Sequence, residues 1–321
     1  MKESGNKTTV ALQGLHACSG CEIALIDAGQ QFITFLEDFV IVHLPLLMDH
    51  KYFEVDAFKG QAHIQIPEAE IGLVSGGVAN EEQEAILKKM RDSCQTLVAL
   101  GTCATHGGIP ALVNSWTWNE SLATILSTCS TEQPASTPKD GLPRPLERVY
   151  ALDEMVDIDM YVPGCPPRGE EIVQVIRALA RGEDPVLPQK SVCDTCPALR
   201  KGKVATKAVK RFVENASFDP DQPLEEMRCL LEQGFMCMGP VTAAGCAGAK
   251  GPGCIVARVP CRGCFGPVKD GGNQMLDMIN GLASMGVDWK SIEDRRLLLR
   301  FMGAHGLLRP ASAVGDEIEN E

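Results

Sequence analysis

The sequence lacks three features that would assign it to a common class of partner or location. It has no basic block, and its 30 Lys and Arg against 42 Asp and Glu give a net charge of −12, which argues against nucleic acid as a partner. Its first residues contain neither an apolar secretion segment nor twin arginines. No run approaches the roughly 20 apolar residues that a membrane span requires. We therefore expect a soluble, cytoplasmic protein.

Cysteine, by contrast, is abundant, with 14 residues in a chain of 321. A secreted disulfide scaffold fits poorly, because the chain is long and its cysteines lie in Gly- and Pro-rich loops, often two residues apart. Such spacing indicates metal or cluster ligation. Zinc sites also use C-x₂-C pairs, but the number and crowding of ligands beside an α/β sheet favour iron–sulfur clusters.

Strand-like and helix-like segments alternate in the first part of the chain. A doubly wound parallel sheet of the flavodoxin-like class, covering residues 1–187, is therefore predicted. The predicted segments are strands at Thr8–Leu12, Val40–Pro45, Glu70–Val74, Thr96–Gly101 and Met160–Gly164, and helices at Glu22–Phe39, Glu81–Arg91 (capped by Asn80) and Glu170–Arg181.

Four cysteines follow three of these strands. Cys18 and Cys21 come after the first strand, Cys103 follows Thr96–Gly101, and Cys165 follows Met160–Gly164. Open α/β sheets bind ligands at the carboxyl ends of their strands, so these thiols can converge on one cubane cluster. Cys94 is interpreted as an ordinary buried thiol and Cys129, in the Ser- and Pro-rich stretch 129–147, as a non-ligand.

The pattern changes after Pro188. Periodicity fades, and we expect a second domain, residues 188–321, that has no conventional core and is stabilised by bound clusters. Its acidic end, residues 316–321, suggests no function. Eight cysteines lie in this part: Cys193, Cys196, Cys229, Cys237, Cys246, Cys254, Cys261 and Cys264.

Three motifs together give the chain a likeness to a known family. Cys18-Ser-Gly-Cys21-Glu22, Gly101-Thr-Cys-Ala104 and Val162-Pro-Gly-Cys-Pro-Pro167 resemble loops in the small subunits of nickel–iron hydrogenases, and the likeness extends over nearly the whole chain. It implies a proximal [4Fe–4S] cluster beside the nickel–iron centre of a separate large subunit. The implied ligands are Cys18, Cys21, Cys103 and Cys165 for the proximal cluster, Cys246, Cys254, Cys261 and Cys264 for the medial one, and Cys193, Cys196, Cys229 and Cys237 for the distal one.

Two positions depart from the respiratory, membrane-linked members of that family. Those carry His where Cys193 stands and Pro where Cys254 stands, so the resemblance implies three four-iron clusters here, with lowered potentials. This departure, with the missing export signal, points to the cytoplasmic third group. The chain looks most like the F420-non-reducing (methyl-viologen-reducing) hydrogenases, which feed heterodisulfide reductase through a small iron–sulfur adaptor. F420-reducing hydrogenases are the alternative.

Glu22 and Ser75 are two further positions of interest. In the family an acid at the position of Glu22 lies near the subunit interface. Glu22 could therefore relay protons, or its carboxylate could only stabilise the N-terminus of the helix through the helix dipole. Ser75 stands where many relatives carry Glu. A plain electron-transfer module of another redox complex, such as the related quinone-oxidoreductase subunit, fits less well. That relative has two adjacent cysteines in its first motif and lacks the eight downstream ones.

Overall fold

The computed structural model describes residues 7–55, 62–126, 141–202, 204, 206–210, 216–217, 219–248, 251–269 and 271–310. Cys129 and the acidic end, considered above, lie outside these residues. Contacts divide the chain into two compact units, the first within Met1–Pro185 and Met302–Glu321 and the second within Val186–Phe301.

The first unit is a mixed α/β structure. Its strands are β1 (Thr8–Gly14), β2 (Phe39–His43), β3 (Phe53–Val55), β4 (Ala62–Ile64), β5 (Ala69–Ser75), β6 (Val78–Asn80), β7 (Cys94–Leu100), β8 (Pro145–Tyr150) and β9 (Met160–Val162). Its helices are α1 (Gly20–Ile26), α2 (Gln30–Asp38), α3 (Glu81–Ser93), α4 (Thr102–His106), α5 (Trp118–Leu126) and α6 (Gly169–Ala180), with 3₁₀ turns at Pro110–Ser115 and Leu152–Glu154.

A five-stranded parallel sheet forms the centre of this unit. Its order is β2-β1-β5-β7-β9. Counted along these five strands alone, that is 2-1-3-4-5, the flavodoxin-like order, and the predicted fold class is confirmed. Residues of the central strands such as Val10, Leu73 and Val98 are almost fully buried. Near-continuous apolar runs are typical of parallel strands that are covered by helices on both faces.

Several predicted segments differ in detail from the structure. The single helix predicted over Glu22–Phe39 is wrong, because α1 ends at Ile26 and Gly29, with φ 60°, interrupts the chain before α2. The short antiparallel pairs β3–β4 and β6–β8 were not predicted. The cap of α3 is confirmed, since the Asn80 side chain accepts a hydrogen bond from the backbone N–H of Gln83 at 2.9 Å.

The second unit is largely irregular. It contains β10 (Ala247–Gly248), β11 (Gly251–Pro252), α7 (Gly253–Val256), α8 (Gln274–Ser284) and 3₁₀ turns at Val192–Thr195, Gly239–Val241, Trp289–Ser291 and Arg295–Leu299. The expectation that it lacks a conventional core is wrong. Met278 and Leu282 of α8 are buried with Val192, Val241 and Leu298 in one apolar cluster. Its members come from short turns at irregular spacing, which hides them from a search for periodicity.

The last described segment, residues 302–310, belongs to the first unit, although the sequence pattern predicts it in the second domain. The Ala304 N–H donates to the His106 carbonyl at 3.1 Å, and the Asn114 side-chain amide donates to the Gly303 carbonyl at 3.2 Å. Small residues allow this close approach to α4. None of the helices in the described residues is long and apolar enough to cross a membrane.

Candidate metal centres

The register of the parallel sheet aligns the loops that carry the first four cysteines. Gly14 pairs with Ser75, Ser75 with Leu100, and Leu100 with Val162, so one row crosses four strands at their carboxyl ends. Cys103 and Cys165 each lie three residues beyond this row, and Cys18 lies four beyond it. The sheet therefore delivers three cysteine loops to one edge.

The loop of Cys18 and Cys21 is fixed to the end of β5. His16 and Gly77 exchange backbone hydrogen bonds, with N···O distances of 3.0 and 3.1 Å. Cys18 is exposed in the loop, and Cys21 is half-buried in the first turn of α1. The two thiols are thus held by β1 on one side and α1 on the other.

A reciprocal pair of hydrogen bonds joins the loops of Cys103 and Cys165. The Thr102 N–H donates to the Gly164 carbonyl, and the Gly164 N–H donates to the Thr102 hydroxyl, both at 2.8 Å. Each of these residues immediately precedes a cysteine. The pair therefore places the two thiols side by side, and sequence reasoning did not identify it.

Two glycines keep space open around these thiols. A Cβ on Gly101 would overlap the Sγ of Cys21, and a Cβ on Gly108 would lie 2.7 Å from the Sγ of Cys103. Both glycines have positive φ, 82° and 54°. Side chains are thus excluded where the sulfur atoms need room, as expected for a cradle around a bulky inorganic group.

The thiols lie close enough to affect each other's ionisation. Burial, and then the charges of Cys165 and Cys18, raise the pKa of Cys103 to about 12. Burial is also the main cause that raises the pKa of Cys21, and neighbouring Cys103 adds to it. Such thiols become stable thiolates only when positive charge is placed among them, and metal binding then releases protons. Four converging cysteines fit the Cys₄ ligation of an iron–sulfur cluster.

Glu22 is a buried carboxyl group beside this loop. Its side chain is in α1, the residue is 3% exposed, and its Oε1 accepts a hydrogen bond from the Ser75 hydroxyl at 2.5 Å. Its Oε2 is buried without a hydrogen-bond partner among the residues described. Sequence reasoning named both residues but missed their pairing, because 53 residues separate them in the chain.

A second group of thiols lies in the second unit. Burial, followed by the charges of neighbouring thiols, raises the pKa of Cys193 to about 12. A Cβ on Gly239 would lie 3.1 Å from the Sγ of Cys193 and 3.7 Å from that of Cys237. Arg200 donates from Nη2 to the Cys193 carbonyl at 2.5 Å. The cysteines brought together are Cys193, Cys196, Cys229 and Cys237.

A third group adjoins the second. The Cys261 N–H donates to the Sγ of Cys237 at 3.3 Å. Burial and Cys237 are the main causes that raise the pKa of Cys261, and Cys264 and Cys254 contribute as well. Cys246 is half-buried against the apolar cluster that contains Cys261. Its place among the ligands, like that of the other cysteines, stays a prediction.

A zinc ion would need ligands that surround a single point. In the part of the chain that the structure describes, no three His, Cys, Asp or Glu side chains are positioned to hold one metal ion. Zinc ligands lie within about 2.3 Å of their ion, whereas the ligands of a cluster bind different iron atoms.

Cys94 stands apart from all three groups. It is 5% exposed at the start of β7, and burial raises its pKa to about 11. Its sulfur packs so closely against Gly72 of β5 that a Cβ there would lie 2.5 Å from it. Cys94 is buried, as predicted, and that it binds no cluster stays a prediction.

The fold and the cysteine loops define an iron–sulfur electron-transfer protein, and comparisons with known proteins agree. Residues 18–179, half of the chain, match the family model described as NADH ubiquinone oxidoreductase, 20 Kd subunit. A subunit of the vhu F420-non-reducing hydrogenase of Methanocaldococcus jannaschii is 38% identical over 291 residues, which cover 90% of this chain and 92% of the relative. The corresponding subunit of Methanococcus voltae is 35% identical, with coverages of 91% and 94%.

A chain in a solved structure of an NAD⁺-reducing [NiFe]-hydrogenase is 31% identical to this one, with a TM-score of 0.50. The match covers 96% of that chain and 57% of this one. The gamma subunit of the coenzyme F420 hydrogenase of Methanosarcina barkeri is 27% identical over 173 residues, 53% of each chain. The chain belongs to the small subunits of [NiFe] hydrogenases within the matched family, and so to the electron-transfer part of an oxidoreductase complex that has a separate large subunit.

Proposed function

We propose that the chain binds three [4Fe–4S] clusters and relays electrons between the nickel–iron centre of its large subunit and an iron–sulfur or flavin partner. The observation that carries this proposal is the convergence of four cysteines from the ends of β1, β7 and β9 on one edge of the sheet. The ligands would be Cys18, Cys21, Cys103 and Cys165 (proximal), Cys246, Cys254, Cys261 and Cys264 (medial), and Cys193, Cys196, Cys229 and Cys237 (distal).

Clusters of this kind supply one-electron transfer when bound, and the chain supplies their positions. Thr102 and Gly164 hold two of the proximal thiols in register. Gly101 and Gly239 leave room for sulfur in the first and second units. Because reciprocal hydrogen bonds hold the loops of Cys103 and Cys165 together, these loops would need little rearrangement when the oxidation state changes.

The proposed acceptor is an iron–sulfur adaptor that leads to heterodisulfide reductase. Two observations support it over the alternatives: the F420-non-reducing relatives align over nine-tenths of the chain, whereas the F420 hydrogenase subunit aligns over 53%. A non-hydrogenase redox module fits less well, because the match to the model described as NADH ubiquinone oxidoreductase, 20 Kd subunit, covers residues 18–179 and leaves out the eight downstream cysteines. Thiolates at Cys193 and Cys254 would give the low potentials that such an acceptor needs. The proposed location is the cytoplasm.

Glu22 is proposed to relay protons near the subunit interface. Ser75 fixes one carboxyl oxygen, and the other is buried with no partner in the described chain, so it is placed to exchange a proton with a neighbouring group. Glu22→Gln should slow hydrogen–deuterium exchange by the complex at unchanged iron content. Unchanged exchange would leave Glu22 with a structural role only.

Iron analysis tests the cluster count. Three Cys₄ sets should give about 12 irons and about 12 sulfides per chain. Cys254→Pro should convert the medial site to a three-iron cluster, visible by EPR in the oxidised protein, and should raise its potential. Iron near eight in the unmodified complex, or no new signal in the variant, would contradict the assignment.

A further inference from the structure

The second unit is basic within an acidic chain. Residues 186–301 contain 16 Lys and Arg against 12 Asp and Glu, whereas the rest of the chain contains 14 against 30. Concentrated charge of one sign raises the local concentration of oppositely charged molecules. Anionic ligands are therefore favoured at this unit although the whole protein is anionic.

A cavity of about 230 Å³ lies within this unit. Its wall includes the apolar side chains of Phe235, Met238 and Leu298, together with Cys261. Cys261 belongs to the proposed medial cluster, so this inference rests on the proposed function. A molecule in the cavity would contact a cluster ligand directly.

Three cations line the same cavity: Lys210, Arg262 and Arg300. None of the three forms an ion pair within the residues that the structure describes, and Lys210 Nζ lies 5.3 Å from the centroid of the Phe235 ring. Burial of positive charge without a counterion is unfavourable, so half-buried cations such as Lys210 and Arg300 favour a bound anion.

Two carboxylates also line the cavity, those of Glu293 and Asp294. The carboxylate of Asp294 is already engaged by Arg296, whose Nε lies 3.0 Å from Oδ1. The cations of the wall therefore outnumber its carboxylates, and one of those carboxylates is neutralised by a neighbour.

We propose that this cavity binds a small organic anion with an apolar body, such as a carboxylate- or sulfonate-bearing quinone, and that the bound anion accepts electrons beside Cys261. The apolar wall would cover the ring and the three cations would bind the acid group. The reaction balances as H₂ plus quinone giving hydroquinone. H₂ is oxidised to two protons and two electrons at the large subunit, and the quinone takes up two electrons and two protons from solvent.

The test uses the whole complex with H₂ as donor and two acceptors of opposite charge, 1,4-naphthoquinone-2-sulfonate and the dication methyl viologen. Lys210→Gln and Arg300→Gln should each raise KM for the sulfonate about fivefold, about 1 kcal/mol at 1.4 kcal/mol per tenfold. The double variant should raise it about 25-fold, with kcat unchanged and no rise in KM for viologen. Arg262 is left intact because its neighbour Cys261 is a proposed ligand.

Lys269→Gln is the matched control, because Lys269 is an exposed cation of the same unit that does not line the cavity. It should leave both KM values unchanged. An equal effect of Lys269→Gln, an unchanged KM in the double variant, or no reduction of the sulfonate by a complex that reduces viologen would each overturn the cavity proposal. Failure of the unmodified complex to reduce viologen with H₂ would instead count against the proposed function.

Discussion

Replacing Gly101 by alanine should remove the proposed proximal cluster and leave the other two proposed clusters in place. At φ 82° and ψ 159° the backbone of Gly101 lies in a region that is essentially reserved for glycine, and an L-residue there costs about 1–3 kcal/mol. The decisive effect is steric, because the new Cβ would overlap the Sγ of Cys21 and real Cβ atoms essentially never come within 3.0 Å of such a neighbour. The sulfur would have to move further than the ~0.2 Å that ligand distances tolerate.

Iron content and hydrogenase activity measure the outcome. Gly101→Ala should lower iron from about 12 to about 8 per chain and abolish H₂ oxidation with every acceptor. Gly141→Ala is the matched control, since Gly141 also has a positive φ, 84°, and no atom of the described residues beyond its chain neighbours lies within 4 Å of its Cβ position. It adds a Cβ at a positive φ without a sulfur contact and should retain all iron. Full iron in Gly101→Ala, or equal loss in both variants, would refute the steric argument.

Two further predictions concern the distal group and the returning C-terminal segment. Cys193→Ser should spare hydrogen–deuterium exchange but impair reduction of the physiological partner. Cys193→His should do less harm, because iron accepts an imidazole ligand. Unimpaired electron delivery to the partner by the Ser variant would contradict the proposed electron path. The hydrogen bond to Asp153 raises the pKa of His305. The stability that this interaction gives the folded state is therefore fully present below the pKa of the unfolded state, near 6.5. It is lost as the pH rises through the higher pKa of the folded state. In the variant His305→Asn, the asparagine tolerates the positive φ of 55°. The free energy of local opening at the Ala304 amide, measured by hydrogen exchange, should then be independent of pH between 5.5 and 8.5. A pH dependence that persists in the variant would have to come from another titrating group.

The sequence predicted the parallel sheet because its strands are buried on both faces. Runs such as Leu97–Leu100 are apolar without interruption, and each is followed by a turn signal, so alternation with helices could be recognised locally. The break between α1 and α2 was missed because apolar spacing continues across it. The core of the second unit was missed for the opposite reason, since Met278 and Val192 come from separate short elements that share no period.

The candidate site was likewise predictable only where the information is local in the sequence. C-x-x-C spacing identifies Cys18 and Cys21, but nothing near Cys103 in the sequence shows that it meets Cys165. That information lies in the pairing of Leu100 with Val162, which places Thr102 opposite Gly164 and the two cysteines one residue further on. A one-residue slip of this register would turn the alternating side chains to opposite faces and separate the two thiols. The proposed ligands Cys103 and Cys165 are therefore specified twice, by the residues themselves and by the strand register that aligns their loops. Only the first of these can be seen without the fold.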